Sequence, residues 1–133
     1  MACTVSALNA WHLPDFHREL IELGYIQPAQ FDVNIAQYPT KLCAQVLPAE
    51  LKAEIDARLL AHMEWLRARG EGEVAARFEP VREYLRAKDE SALLPQFRAY
   101  CRQLDGLRGE DTAAAFPELA SVWSASEQPV AAE

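Results

Sequence analysis

The chain has no close pair of cysteines. Cys3, Cys43 and Cys101 are its only three and lie far apart. The odd count and wide spacing argue against a disulfide framework and fit a reducing, cytoplasmic compartment. Neither Cys-x-x-Cys nor Cys-x-x-x-Cys-x-x-Cys occurs. A four-thiolate cluster needs several close ligands, so no complete iron–sulfur site is expected within this chain. The five glycines are scattered, so no phosphate-cradling loop can be drawn, and no Gly-x-Ser-x-Gly elbow is present. No apolar run approaches the ~18–20 residues of a membrane span. The N-terminus lacks the basic region, apolar stretch and small-residue cleavage site of a secretory signal. Positive charge is also short. Thirteen bases face 20 acids, for a net −7. That balance argues against non-specific nucleic-acid binding, though it leaves room for a small basic patch.

What remains is a chain of 133 residues, half of them apolar, enough for one domain with a core. Cys3-Thr4-Val5-Ser6-Ala7-Leu8 reads as a buried strand. Leu13-Pro14-Asp15 opens a helix, because proline at a first helical position gives up only an N–H that would be unpaired anyway. Leu13, Phe16, Leu20 and Leu23 then recur at helical spacing, and Gly24 supplies a C-terminal cap. Phe31, Val33 and Ile35 alternate with Asp32, Asn34 and Ala36, which is strand periodicity. Residues 36–46 read as a connector turning at Tyr38-Pro39-Thr40.

From Leu47-Pro48-Ala49-Glu50 onward the pattern is helical. Leu51, Ile55, Leu59 and Leu66 line one side, with Met63 nearby, up to Gly70 and Gly72. Val74, Phe78, Val81 and Leu85 continue the period, with Pro80 predicting a kink or restart, since a mid-helix proline costs roughly 3 kcal/mol. Ser91 is a candidate cap for a further helix carrying Leu94, Phe97, Cys101 and Leu104 to Gly109. Phe116-Pro117-Glu118-Leu119 reads as a docking segment with Trp123 behind it. The small, polar residues from Ser124 on are expected to be disordered. No internal repeat or sustained heptad is present.

The order is therefore strand, helix, strand, then helices: one βαβ unit with a helical tail. Sheets built from such units normally hold four or more strands with both faces covered. Two strands leave two bare edges, to be covered by the tail, by another chain or by further sequence.

Candidate chemistry is sparse. His12 and His17 are five apart, about 140° around a helix, so they share no face, and His62 is remote. A metal pair would want spacing of three or four. No metal ligand is assigned, and surface or helix-end positions are expected for the histidines. Cys3 and Cys101 read as small buried hydrophobes. Ser6, His12 and Asp15 make a triad on paper only. Asp105 and Arg108 read as an i,i+3 pair at a helix end. The strand ends carry more weight, since parallel α/β folds bind ligands at the carboxyl ends of strands. Ser6 and Asn9 end the first strand; Asn34 and Gln37 end the second. Each asparagine binds either a ligand or its own turn's backbone.

A family resemblance runs through these blocks. Leu47-Pro48-Ala49-Glu50-Leu51-Lys52, Leu85, Leu94-Pro95-Gln96-Phe97, Leu104-Asp105-Gly106-Leu107-Arg108-Gly109-Glu110 and Phe116-Pro117-Glu118-Leu119 resemble the C-terminal region of twitch-domain-containing radical S-adenosylmethionine proteins. Cys3-Thr4-Val5-Ser6-Ala7-Leu8-Asn9 with Leu13-Pro14-Asp15-Phe16 is similar to the family's late barrel strand and its helix, and Phe31-Asp32-Val33-Asn34 to its last strand. The resemblance implies a partial (βα) barrel whose three-cysteine loop binds a four-iron cluster that reductively cleaves S-adenosylmethionine. The early strands, the cluster loop and the Gly-rich cofactor segment have no counterpart here.

The expectation is thus a mainly helical α/β chain. Residues 1–46 would form the βαβ end of a partial radical SAM barrel and 47–123 a helical C-terminal extension, with 124–133 a disordered tail. It would not be catalytic alone, and it would hold no cofactor alone. S-adenosylmethionine and the four-iron cluster are implied for a full-length relative, with Ser6, Asn9 and Asn34 as the cofactor-binding candidates. Its partner would be the missing N-terminal barrel part or another protein, with self-association through open edges and no nucleic acid or membrane. The other reading is a small helical protein-interaction module.

Overall fold

The computed structural model describes residues 1–123 and is mainly helical, with one two-stranded parallel sheet. Strand β1 (Ala2–Val5) leads through helix α1 (Leu13–Glu22) to strand β2 (Asp32–Ile35). The strands pair in parallel, Ala2 opposite Asp32 and Val5 opposite Ile35. Then follow α2 (Ala49–Ala68), α3 (Gly72–Ala76), α4 (Glu79–Ala87), α5 (Leu94–Arg108), α6 (Thr112–Ala115) and α7 (Ala120–Trp123). No helix among the described residues is long and apolar enough to cross a membrane. The expected tail from Ser124 lies outside the described residues.

The proline signals act as helix starts. Pro14, Pro80 and Pro95 each sit in the first turn of α1, α4 and α5. At Pro80 the periodic run restarts: α3 ends at Ala76 and α4 begins at Glu79. Gly24 and Gly109 stop α1 and α5 with φ of 78° and 66°, a left-handed turn that glycine enters without strain. Ser91 does not cap α5. It begins a 3-10 turn, Ser91–Leu93, that runs into the helix, and the capping position passes to Leu93. Asp105 does not pair with Arg108 either. Its carboxylate accepts from the Thr112 N–H (3.0 Å) and hydroxyl (2.5 Å), clamping α6 onto α5 and holding the Asp105 carboxyl below the usual range.

The connector after β2 is more ordered than its sequence suggests. Beyond a cis Tyr38–Pro39 bond come two 3-10 turns, Thr40–Leu42 and Ala44–Val46, and residues 43–47 are all buried. Gln45 ties them down. Its side-chain amide donates to the Tyr84 carbonyl (2.7 Å), and its backbone carbonyl accepts from the Glu90 N–H (3.1 Å).

A continuous core runs between the sheet and the helices, with Phe31, Phe78, Phe97, Ile55, Leu59 and Leu66 among its fully buried side chains. Arg82 joins α4 to α2 by two bonds to Asp56 (2.7 and 3.2 Å) and reaches Glu79 within its own helix. Phe97 stacks on Trp123, whose indole N–H donates to the Phe116 carbonyl, so the C-terminal segment packs on α5. Phe78→Ala should cost about 3–5 kcal/mol, while Leu60→Ala, on the exposed side of α2, should stay within about 0.5 kcal/mol. Equilibrium denaturant unfolding measures both.

Candidate functional site

The carboxyl ends of the strands separate the three predicted binding residues. Asn9 is spent on its own turn. Its Oδ1 accepts from the Ser6 N–H (2.7 Å), and its Nδ2 donates to the Thr4 carbonyl (2.8 Å). The Ser6 hydroxyl accepts from the Leu8 N–H at 3.3 Å. These two residues shape the bend that carries the chain from β1 towards α1. Asn34 differs. It is exposed on the sheet, and its side chain makes no hydrogen bond among the described residues.

The two sheet faces differ in chemistry. Cys3, Val5, Val33 and Ile35 face the helices, and Val5 is fully buried among them. Ala2, Thr4, Asp32 and Asn34 form the opposite face and are exposed. Both outer edges are without a further strand among the described residues. Beyond β2, a cleft of about 340 Å³ is lined by Gln37, Tyr38, Cys43, Gln45, Tyr84 and Lys88, among others. Burial, with the Cys43 thiol beside it, pushes the Tyr84 phenol's pKa up, so it stays a neutral donor.

Helix α1 is rotated relative to its apolar spacing. Leu13 is buried and Leu20 half-buried, but Phe16 is 42% and Leu23 61% exposed, and Tyr25 just beyond is 74% exposed. Phe16 also borders an apolar groove of about 270 Å³ with Cys3 and Leu13, where β1 meets α1. In their place α1 buries His17.

His17 is fully inaccessible. It stacks on Phe31 with centroids 4.4 Å apart, and tilts against Phe78. Its Nδ1 lies 2.8 Å from Nε2 of His62 on α2, and its Nε2 lies 3.1 Å from the Pro28 carbonyl. His62 is buried too, stacked on Trp65 and set edge-on to Phe78. The expectation of surface histidines therefore fails for both. Burial lowers the pKa of each, that of His62 to about 4 with the neighbouring His17 and Arg18 adding to the effect. Spacing within one helix could not reveal a partner 45 residues away. A signal was nevertheless present: Leu13 and His17 are four apart, and Leu59, His62 and Leu66 follow three and four apart, so both histidines sit on buried stripes.

No activated nucleophile emerges among the described residues. Asp15 pairs with Arg58, and His12 Nε2 lies 2.7 Å from a buried Glu118 oxygen that has no other polar contact. The paper triad is thus dispersed. Burial pushes the Cys3 thiol up, and that of Cys101 to about 11, which leaves both protonated at neutral pH. The cysteines lie on β1, in the connector and on α5, and no group of three or more His, Cys, Asp or Glu fit to hold a metal occurs among the described residues. The residues present do not fit an iron–sulfur cluster.

Comparison with protein-family models, with curated proteins and with solved structures yields no match.

The two asparagines are separable by mutation. Asn9→Ala leaves the Ser6 N–H and the Thr4 carbonyl without their partner and should cost about 1–2 kcal/mol, whereas Asn34→Ala should change stability by less than about 0.5 kcal/mol. Thermal unfolding of the two variants side by side checks the difference.

Proposed function

We propose that this chain is the closing βαβ unit and helical extension of a partial barrel of the radical S-adenosylmethionine type, inert until a preceding strand–helix unit docks on β1. The carrying observation is the coincidence, at one place, of an open strand edge, an apolar groove (Cys3, Leu13, Phe16) and the exposed Phe16–Leu23 side of α1. Phe16 and Leu23 lie about two turns apart on one side of α1, with Phe16 at the groove, and a neighbouring helix in a barrel would bury them together. The alternation of the sheet supports the same reading. Its apolar set faces the helices, and its small and polar set, including Thr4 and Asn34, lies where a barrel's lumen would be.

In this reading the cluster and its three-cysteine loop belong to the docked unit, and no chemical step is assigned to this chain. Asn34 is its best-placed residue for a ligand at the strand ends. Ser6 and Asn9 serve by fixing the turn beside it, rather than by direct contact. The cleft behind β2 would extend the binding region towards the helical layer.

An interaction module is the second reading, favoured by the same open edge, which can take a strand from an unrelated protein. The DNA immediately upstream separates the two. A frame encoding Cys-x-x-x-Cys-x-x-Cys, co-expressed with this chain, should co-purify with it and form 5′-deoxyadenosine from S-adenosylmethionine under anaerobic reduction. The isolated chain should form none and take up no cluster on reconstitution with iron and sulfide. Absence of such a frame, or a cluster on the isolated chain, sinks the barrel reading. Light scattering tests the docking face itself. The isolated chain should self-associate, and Phe16→Glu with Leu23→Glu should make it monomeric with unchanged helicity.

A further inference from the structure

We propose that the buried His17–His62 bridge is a proton-operated latch between α1 and α2, closed while both rings are neutral and opened when the pair takes up its second proton. The hydrogen bonds fix the starting state. The Pro28 carbonyl can only accept, so His17 carries its proton on Nε2 and presents a bare Nδ1. His62 must then donate from Nε2 to that Nδ1. The one ring nitrogen left to bind a proton without breaking a bond is Nδ1 of His62, on the ring that borders a cavity of about 150 Å³ with Pro14, Asp15, Arg18 and Arg58. A first proton is therefore geometrically tolerated. A second must go to His17 Nδ1, where two N–H groups would face each other at 2.8 Å inside an aromatic box.

The surroundings offer little to offset such charge. From α1, Asp15 and Arg18 face the pair; from α2, Arg58; from the segment between α3 and α4, Arg77, which donates to the Ala29 and Phe31 carbonyls. Asp15 is the one carboxylate of this set, and Arg58 already holds it. Phe31, Phe78 and Trp65 supply the rest of the box.

The sign follows from the lowered pKa values. An unfolded histidine titrates near ~6.5. Both folded rings bind protons more weakly than that, His62 only at about pH 4. The joint is at full strength above the unfolded value and is lost as pH falls towards the folded ones. Opening it frees α1, which carries Phe16 and Leu23, so the latch would regulate whatever covers that face. The latch acts on α1 itself, whatever the partner on that face.

Hydrogen exchange of the full chain tests it. Between about pH 7.5 and pH 4.5, after correction for intrinsic rates, α1 amides should lose about tenfold more protection than α5 amides. His62→Gln keeps a donor for His17 at neutral pH, and in acid its amide can turn to offer oxygen. In that variant the excess loss should fall below about threefold. Constant α1 protection in the wild type, or equal loss in the wild type and the variant, overturns the proposal. Imidazole nitrogen NMR of the wild type decides independently of how the variant folds. Both rings should be neutral with Nε2 protonated at about pH 7.5, and ordinary titration near ~6.5 would refute the latch.

Discussion

Two parallel strands cannot hold each other. A ladder of four residues per strand contributes few hydrogen bonds, and such a pair is stable only if something buries a face. Here the aromatic cluster of Phe31, His17, Phe78 and His62 does so. Phe31 enters β2, His17 comes from the crossover helix, Phe78 from between α3 and α4, and His62 from the middle of α2. Four elements separated by as many as 61 residues in sequence (Phe78 and His17) meet in one box. The seating of the sheet and the position of α1 both follow from that contact.

Because the rotation of α1 places His17 beside Leu13 in the core, Phe16 and Leu23 turn outward. The exposure of Phe16 and Leu23 is thus the counterpart of the buried histidine, and not a separate defect of packing. A helix of 10 residues with apolar side chains on both flanks suits a position between two neighbours. One neighbour, α2, is in place. The open edge of β1 and the groove along it lie beside the other flank, where the proposed unit would dock. The opposite sheet face does not share this hunger for cover: Thr4, Asp32 and Asn34 are polar there, as a solvated or ligand-lined surface requires.

Much of the fold was legible in local pattern. Pro14 and Pro48 mark helix starts and Pro80 a restart, because a missing N–H is harmless there, and Gly24 and Gly109 mark helix ends because left-handed backbone suits glycine. The alternation around Val33 and Ile35 located β2. Features resting on non-local partners were not legible. Asp105 has an attractive neighbour in Arg108, yet Thr112 offers it two donors once α6 folds back. Residues 36–46 look like a linker, yet their last part, from Cys43 on, is buried, with Gln45 bonded to Tyr84 and Glu90. At the candidate site, Asn9 and Asn34 are alike in type, but Asn9 sits in the turn after β1 and Asn34 within β2. The difference is that Asn9 has a carbonyl and an amide within reach of its own turn, whereas Asn34 has neither.

The buried histidines do something that an apolar ring could not. A phenylalanine at position 17 would fill the box and avoid the cost of hiding a polar ring. What histidine adds is a pair of directed bonds, one to α2 and one to the carbonyl that begins the turn into β2. Those bonds set the rotation of α1 about its axis, which stacking alone leaves loose. A helix fixed in rotation presents Phe16 and Leu23 at a defined angle to the edge of β1. If a second unit docks there as proposed, that angle decides its fit, so the polar pair in the core and the apolar residues on the surface are two sides of one constraint.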